Sequence, residues 1–435
     1  MLQHCLPTTI RETLSELPKT LDETYQRVLN EIGMVDRGLA HRHLQCLTMA
    51  IRPLRVEELA EILALDFTVA NGATPALNED CRSENPQEAV LSVCSSLIMV
   101  ADSGQSRVIQ FSHFSVKEFL TSDRLAAFQG GEDYIGEEPA HTTLAQACLG
   151  TLLRLDGSLG NLQVDHRFPF ARYASQHLVE HAQFGKVSSQ IEDGLQRLFD
   201  STTPYFVTWI RLNNMDDHWT QFGNSSAARG SPLYYASLFG FRELAAHIIK
   251  DHPEQVTAKG GRNHCPLGAA LYKGHFHVAD LLLQHGAFIN VTGHGDQTPL
   301  QAASVDGRSD IARWLLKNGA DTHSQRDDHA APIHLATANG HIDVIKTLLE
   351  YKVDINSVDK DGRTPLHLAS SSGNTEIVRL LLNNGANTNA VDKDGRTSLT
   401  LATTTEVVHL LEYGASLEEE GRLTEGGIED EDGKV

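Results

Sequence analysis

The segment His177-Leu178-Val179-Glu180-His181 has a spacing that zinc chemistry uses. Two imidazoles four residues apart fall on one face of a helix, where they can hold a metal while the glutamate between them acts on a bound water. The string fixes three positions in a chain with 22 histidines, and no third ligand can be identified. So few fixed positions are a loose filter, and zinc hydrolysis stands as a remote alternative. Other histidines recur at a long period: His334 and His367 sit at one place in a repeated phrase, and His275 and His341 each follow a glycine at another. That recurrence argues for structural hydrogen bonds. Cys5, Cys46 and Cys94 lie in helical or terminal contexts without a nucleophile-elbow pattern. The expectation is a non-enzymatic chain with no catalytic set, no cofactor and no metal.

The elements that position these residues are repeats. One phrase occurs six times, as SPLYYA at 231, CPLGAA at 265, TPLQAA at 298, APIHLA at 331, TPLHLA at 364 and TSLTLA at 397, so the offsets are 34, 33, 33, 33 and 33. A second phrase follows at a fixed distance: GHFHVADLLLQHGA, GRSDIARWLLKNGA, GHIDVIKTLLEYKV and GNTEIVRLLLNNGA. Thr364 can cap a helix, Pro365 suits its first position, and Leu366, Leu368 and Ala369 form an apolar face. After a turn at Gly373, Ile377, Val378, Leu380, Leu381 and Leu382 have the spacing of a second buried helix. Gly286, Gly319, Gly385 and Gly414 stand where such a helix ends left-handed, whereas the fourth unit has Lys352, which predicts a strained or reshaped end. The period and the Thr-Pro-Leu-His phrase resemble the ankyrin family. The sixth unit is four residues short and reads as a terminal cap or as a defective repeat; LEEEGRLTEGGIEDEDGKV, 417–435, with eight acidic and two basic residues, reads as a solvated, disordered tail.

The amino-terminal half is helical in rhythm. LPKTLDETYQRVL lies within residues 1–36; GLAHRHLQCLTMA, RPLRVEELAEILAL and PQEAVLSVCSSLIMV predict three helices, and LIMVAD and RVIQFSH predict two strands. Three helices and a hairpin make a winged-helix layout over 37–128. A winged helix can read DNA, but the third helix carries Glu88 and no Lys or Arg, and 37–128 holds eight basic against eleven acidic side chains. DNA regulation is thus another remote alternative.

These phrases, with VIQFSHFSVKEFL, FPFARYASQHLVEHA and YFVTWIRL, resemble the region after the nucleotide-binding domain in NACHT–ankyrin NLR-like proteins of filamentous fungi. The resemblance implies a signalling ATPase whose ankyrin array senses a ligand. The Gly-x-x-x-x-Gly-Lys-Ser/Thr string that cradles phosphates does not occur in the sequence, so the chain is not expected to hydrolyse nucleotide. Either a short protein or part of a longer sensor with its P-loop upstream fits that expectation.

The architecture expected is mainly α: a helical remnant at 1–36, a winged-helix-like domain at 37–128, a helical linker region at 129–229, six ankyrin repeats at 230–416 and the acidic tail. A formal charge of −21 disfavours nucleic acid, and no membrane segment or leader pattern is present. Six cysteines without pairing rhythm suit a reducing compartment, intracellular and cytoplasmic in preference to nuclear. The partner expected is another protein, held on the concave surface made by turn tips and first-helix ends. The contact positions carried over from the ankyrin pattern are His294, Gln297, Val305 and Asp306; Asp327, Asp328 and Asn339; Lys360, Asp361, Arg363, Ser371 and Ser372; and Lys393, Asp394 and Arg396. Phe239, Tyr272 and Lys273 add aromatic hot spots and a cation.

Overall fold

A computed structural model describes residues 20–32, 37–67, 74–79, 82–104, 106–126, 133–155, 157–213, 230–261, 263–293, 297–323 and 330–412. The acidic tail, Gly414, His294, Asp327 and Asp328 lie outside them. The chain divides into two compact units, 1–227 with 243–248, and 228–242 with 249–435.

In the first unit, Thr20 caps α1 (Leu21–Glu31) by accepting the Glu23 N–H at 3.1 Å. The three helices expected next are α2 (Arg37–Met49), α3 (Val56–Leu63) and α4 (Pro86–Cys94). They enclose a core of Leu44, Leu54, Leu59, Ile62 and Val90. A short antiparallel pair, β1 (Leu65–Asp66) with β2 (Ala76–Leu77), was too brief to leave a periodic signal. The hairpin is β3 (Ile98–Ser103) against β4 (Ser106–Phe111), with Val100 opposite Ile109. Arg55 bridges Val108, and Ile109 N–H donates to Leu54 O at 2.9 Å, so the backbone before α3 extends the small sheet. Glu58 is fully buried and accepts from Arg52 Nη2 at 2.7 Å, Arg55 Nε at 2.9 Å and the Arg55 N–H at 2.8 Å.

The chain continues through α5 (Phe114–Leu120), α6 (Asp123–Ala126), α7 (Glu137–Leu152), α8 (Asn161–Arg167), α9 (Ala171–Ala182), α10 (Val187–Gln190), α11 (Glu192–Phe199) and α12 (Tyr205–Asn213). Small residues let α7 and α9 pack closely: Ala140, Ala145, Ala147, Ala171 and Ala174 are all buried. Gly150 serves close approach as well, since a Cβ there would lie 2.6 Å from the Pro75 carbonyl oxygen. Trp209, fully buried, donates its indole N–H to Ser175 O at 3.0 Å.

After α13 (Pro232–Phe239) and α14 (Arg242–Asp251), whose residues 243–248 fall in the first unit, the second unit is built from helix pairs: α15 (Pro266–Lys273) with α16 (Phe276–Gln284), α17 (Pro299–Asp306) with α18 (Ser309–Lys317), α19 (Pro332–Ala338) with α20 (Ile342–Glu350), and α21 (Pro365–Ser372) with α22 (Thr375–Asn383). Proline at the first helical position lacks the amide that would otherwise go unpaired there. First helices pack on first helices, α13 on α15, α17 on α19 and α19 on α21, and α18 packs on α20. The phrase residues Leu267, Ala270, Ile333, Ala336, Leu366 and Ala369 are thereby buried.

The sixth unit departs from the other five. Ser398 replaces the proline, and Thr397–Thr400 forms a turn closed by the Thr400 hydroxyl donating to Thr397 O at 2.7 Å. Among its described residues only 405–412 are helical, burying Val407 and Leu411. Hydroxyl side chains that bond to nearby backbone, and β-branching through Thr403-Thr404-Thr405, both disfavour a first helix.

Lys352 takes up the left-handed conformation its place demands, with φ 55°, as Gly286, Gly319 and Gly385 do with φ 91°, 82° and 82°. The helix end is strained and otherwise kept: Val353 N–H donates to Leu348 O at 3.3 Å, as Ala386 N–H does to Leu381 O at 3.1 Å. Lys352→Gly is expected to stabilise the unit by about 0.5–1 kcal/mol, the relief of strain less the glycine's extra unfolded entropy. A rise in the denaturant midpoint at constant m-value checks it.

Candidate partner-binding face of the repeats

The turn tips are held by a recurring device. In the 358–364 tip the Asp359 carboxylate, 7% exposed, accepts the N–H groups of Asp361 and Arg363 at 2.9 Å each on Oδ1 and the Arg363 Nε at 2.9 Å on Oδ2. Burial pushes this carboxyl up, but the Arg363 guanidinium and the two backbone donors hold it below the usual carboxylate range. Asp392 repeats the arrangement one unit later with Asp394 and Arg396. The tip strands close with Asp359 N–H to Arg363 O at 3.0 Å and Asp392 N–H to Arg396 O at 2.9 Å.

Histidine ties each tip to the preceding unit. His367 Nδ1 accepts the Thr364 N–H at 3.1 Å and lies 2.8 Å from its hydroxyl, so its Nε2–H is the donor to Arg396 O at 3.1 Å. His334 Nε2 bonds Arg363 O at 3.0 Å in the same way. The structural role expected for both histidines is what the geometry gives them. The fourth unit lacks half of the device, because Ala331 stands where Thr364 does, leaving α19 without a side-chain cap and His334 Nδ1 buried with no partner among the described residues. Ala331→Thr is expected to stabilise the repeats by about 1 kcal/mol, supplying a cap and a donor together. Thermal melts of the two proteins measure it, and equal midpoints would contradict the capping role.

The residues expected to meet a partner divide into classes. Tyr272, Lys273, Asp306, Asn339, Lys360, Ser371, Ser372, Lys393, Asp394 and Arg396 are exposed, and Gln297, Val305, Asp361 and Arg363 are half-buried. Lys273 Nζ sits 5.7 Å over the Tyr272 ring. Ser371 and Ser372 turn their hydroxyls back to Leu368 O and Ala369 O at 3.0 Å. Arg363 and Arg396 are engaged within their own tips, which makes them organisers of the surface first. Phe239 is a correction: it is 8% exposed and packs between Tyr235 and Phe241, with ring centroids 6.1 and 6.0 Å away, because that position of α13 faces the core. Asp359 and Asp392 were missed, and so were the exposed Val358 and Val391. The recurrence of Val-Asp-Lys-Asp-Gly-Arg-Thr at 358 and 391 was the signal available for all four.

The possible zinc pair is occupied differently. His181 Nε2 lies 2.9 Å from the Tyr173 hydroxyl and its Nδ1 lies 2.8 Å from His141 Nδ1, while His177 Nδ1 lies 2.9 Å from Glu180 Oε2. Both nitrogens of His181 are thus hydrogen-bonded inside the helical core, where burial and the neighbouring His141 and His177 lower its pKa to about 3. Among the described residues no helix is long and apolar enough to cross a membrane.

Comparison with known proteins matches residues 229–326 and 329–420 to the family described as ankyrin repeats (3 copies). Residues 26–129 match the winged helix domain of GPI inositol-deacylase. Both are non-catalytic families. A curated relative, azaphilone pigments biosynthesis cluster protein L from Monascus ruber, is 35% identical over 295 residues, which are 63% of this chain and 61% of the relative. The chain therefore spans about three fifths of the relative's length. It carries a winged-helix domain followed by ankyrin repeats, and ankyrin repeats are protein-interaction modules.

Proposed function

We propose that this chain is a non-enzymatic scaffold or sensor arm that recognises another protein along the tips and first-helix ends of its repeats, chiefly around 358–363 and 391–396. The observation that carries the reading is the division of labour within each unit. The recurring apolar phrase lies in the core, while at 358–364 and 391–397 buried aspartates and histidines hold the tips and leave Lys360 and Lys393 at the surface. Rigid tips lower the ordering cost of binding. Charge reversal tests it: the full chain and its Lys360→Glu/Lys393→Glu variant are each used for affinity capture from the native cell extract. A partner recovered by the first and depleted at least several-fold with the second supports the tip surface. Equal recovery, with both proteins folded, argues against it.

The winged-helix match supports a second reading, in which the chain acts together with a nucleotide-binding part of a signalling ATPase. Co-purification of such an ATPase with the chain would favour it, and an eluate free of nucleotide-binding proteins would count against it.

A further inference from the structure

The two tips at 358–364 and 391–397 share seven residues of seven, and they are joined: Lys393 N–H donates to Asp361 O at 2.9 Å. Internal pairing uses most of their charge. Arg363 Nη2 lies 2.8 Å from Asp359 and 3.1 Å from Asp361, and Arg396 likewise holds both Asp392 and Asp394. What remains on each tip is one lysine, Lys360 or Lys393, exposed and with no ion pair among the described residues. Beside each lies an exposed valine, Val358 at 51% and Val391 at 58%. The face therefore offers the same cation and apolar group twice, one repeat apart. Because first helices stack side by side, that translation is about 8–10 Å.

A partner must supply matching groups at the same pitch. A β-strand returns a side chain to one face every two residues, about 7 or 13 Å, which misses the pitch. A polyproline-II segment returns one every three residues, about 9 Å, and exists in water without internal hydrogen bonds. An α-helix reaches about 10.5 Å at seven residues, slightly beyond the pitch, and a short one is marginal in isolation. Unpaired lysines call for carboxylates. We propose that the paired tips bind an extended, polyproline-II-like segment of a partner protein that carries carboxylate side chains at positions i and i+3. The proposal rests on the protein-binding reading above and gives the partner's chemistry.

The test uses the full chain and fluorescein-labelled proline-rich peptides with two glutamates at i and i+2, i+3, i+4 or i+7, read by fluorescence anisotropy at low and physiological salt. The i, i+3 peptide is expected to bind about five-fold more tightly than the others, and more weakly as salt rises. Lys360→Ala or Lys393→Ala should each weaken it about three-fold and abolish the preference for spacing, with unchanged melting temperature. Binding without a spacing preference, strongest binding by i, i+7, indifference to both lysines, or no binding at all would overturn the proposal. A captured partner that still depends on the tips while any of these results holds would leave the protein-binding reading standing and remove only this one.

Discussion

Replacing Leu381 with alanine is expected to destabilise the repeats by about 2–5 kcal/mol. Leu381 is fully buried on α22 beside Ile377 and Val378, which are equally buried, so the lost atoms leave a cavity that the packed helices fill poorly. Its carbonyl also receives Asn384 N–H and Ala386 N–H at 3.1 Å, so the end of α22 sits on the same residue. In a solenoid each unit leans on its neighbours, and the loss should therefore spread to the tip at 391–397 and lower the cooperativity of unfolding. The adjacent Leu382, only half-buried, is the internal control, and Leu382→Ala should cost clearly less. Denaturant titration of both variants reads the difference. Equal costs at the two positions would contradict the stacked arrangement.

Acid should weaken the first unit, with a sign fixed by two buried histidines. His43 is fully buried, both ring nitrogens lack a partner among the described residues, and burial with the nearby Arg42 lowers its pKa from 6.5 to about 3. His181 is lowered to about 3 as well. A histidine depressed on folding contributes full stability above its unfolded value of 6.5, and the contribution falls away as pH drops toward the folded value. Between neutrality and pH 5 each should cost about 2 kcal/mol. Glu61 runs the other way: burial raises it to about 7 despite the Phe170 N–H it accepts at 2.7 Å, so its contribution is present at low pH and is lost as pH rises through 7. It should return about 2 kcal/mol by pH 5, leaving a net loss of about 2 kcal/mol. Glu61→Gln should deepen the acid loss toward about 4 kcal/mol, and His43→Leu should nearly cancel it and also stabilise the neutral protein by removing an unpaired buried group. Melting temperatures of the three proteins at pH 7.5 and pH 5 test the signs, and a wild type more stable at pH 5 would refute them.

The repeats were legible because their signal is redundant: the Pro-Leu phrase, the glycine at each helix end and the period agree in several units, so one substitution such as Lys352 stands out and its left-handed conformation follows. The three helices and hairpin of the winged-helix region were legible from ordinary amphipathic and alternating patterns. What escaped was either short or relational. The β1–β2 pair has two residues on each side, and the bridge from Arg55 to Val108 joins residues far apart in sequence. Phe239 was misplaced because position in a repeat does not fix which way an aromatic ring turns when α13 packs it among Tyr235 and Phe241. The His177–Glu180–His181 spacing was equally ambiguous, since only the packing of α7 on α9 brings His141 onto His181, while Tyr173 reaches it from two turns earlier on α9 itself. In the tips, the charges Lys360, Asp361, Arg363 and their counterparts looked equivalent in sequence. Buried Asp359 and Asp392 separate them into internal partners and lysines that have no ion pair among the described residues.

Site-specific photo-crosslinking tests the central claim most directly. A photoreactive side chain is placed at Val358 or Val391 on the tips, and at Leu162, an exposed residue of the first unit, as the comparison. If the repeats recognise a partner through their tips, the same protein should crosslink from Val358 and Val391, vanish when Lys360 and Lys393 are reversed in charge, and be absent from Leu162. A partner captured from Leu162 and not from either valine would contradict the account.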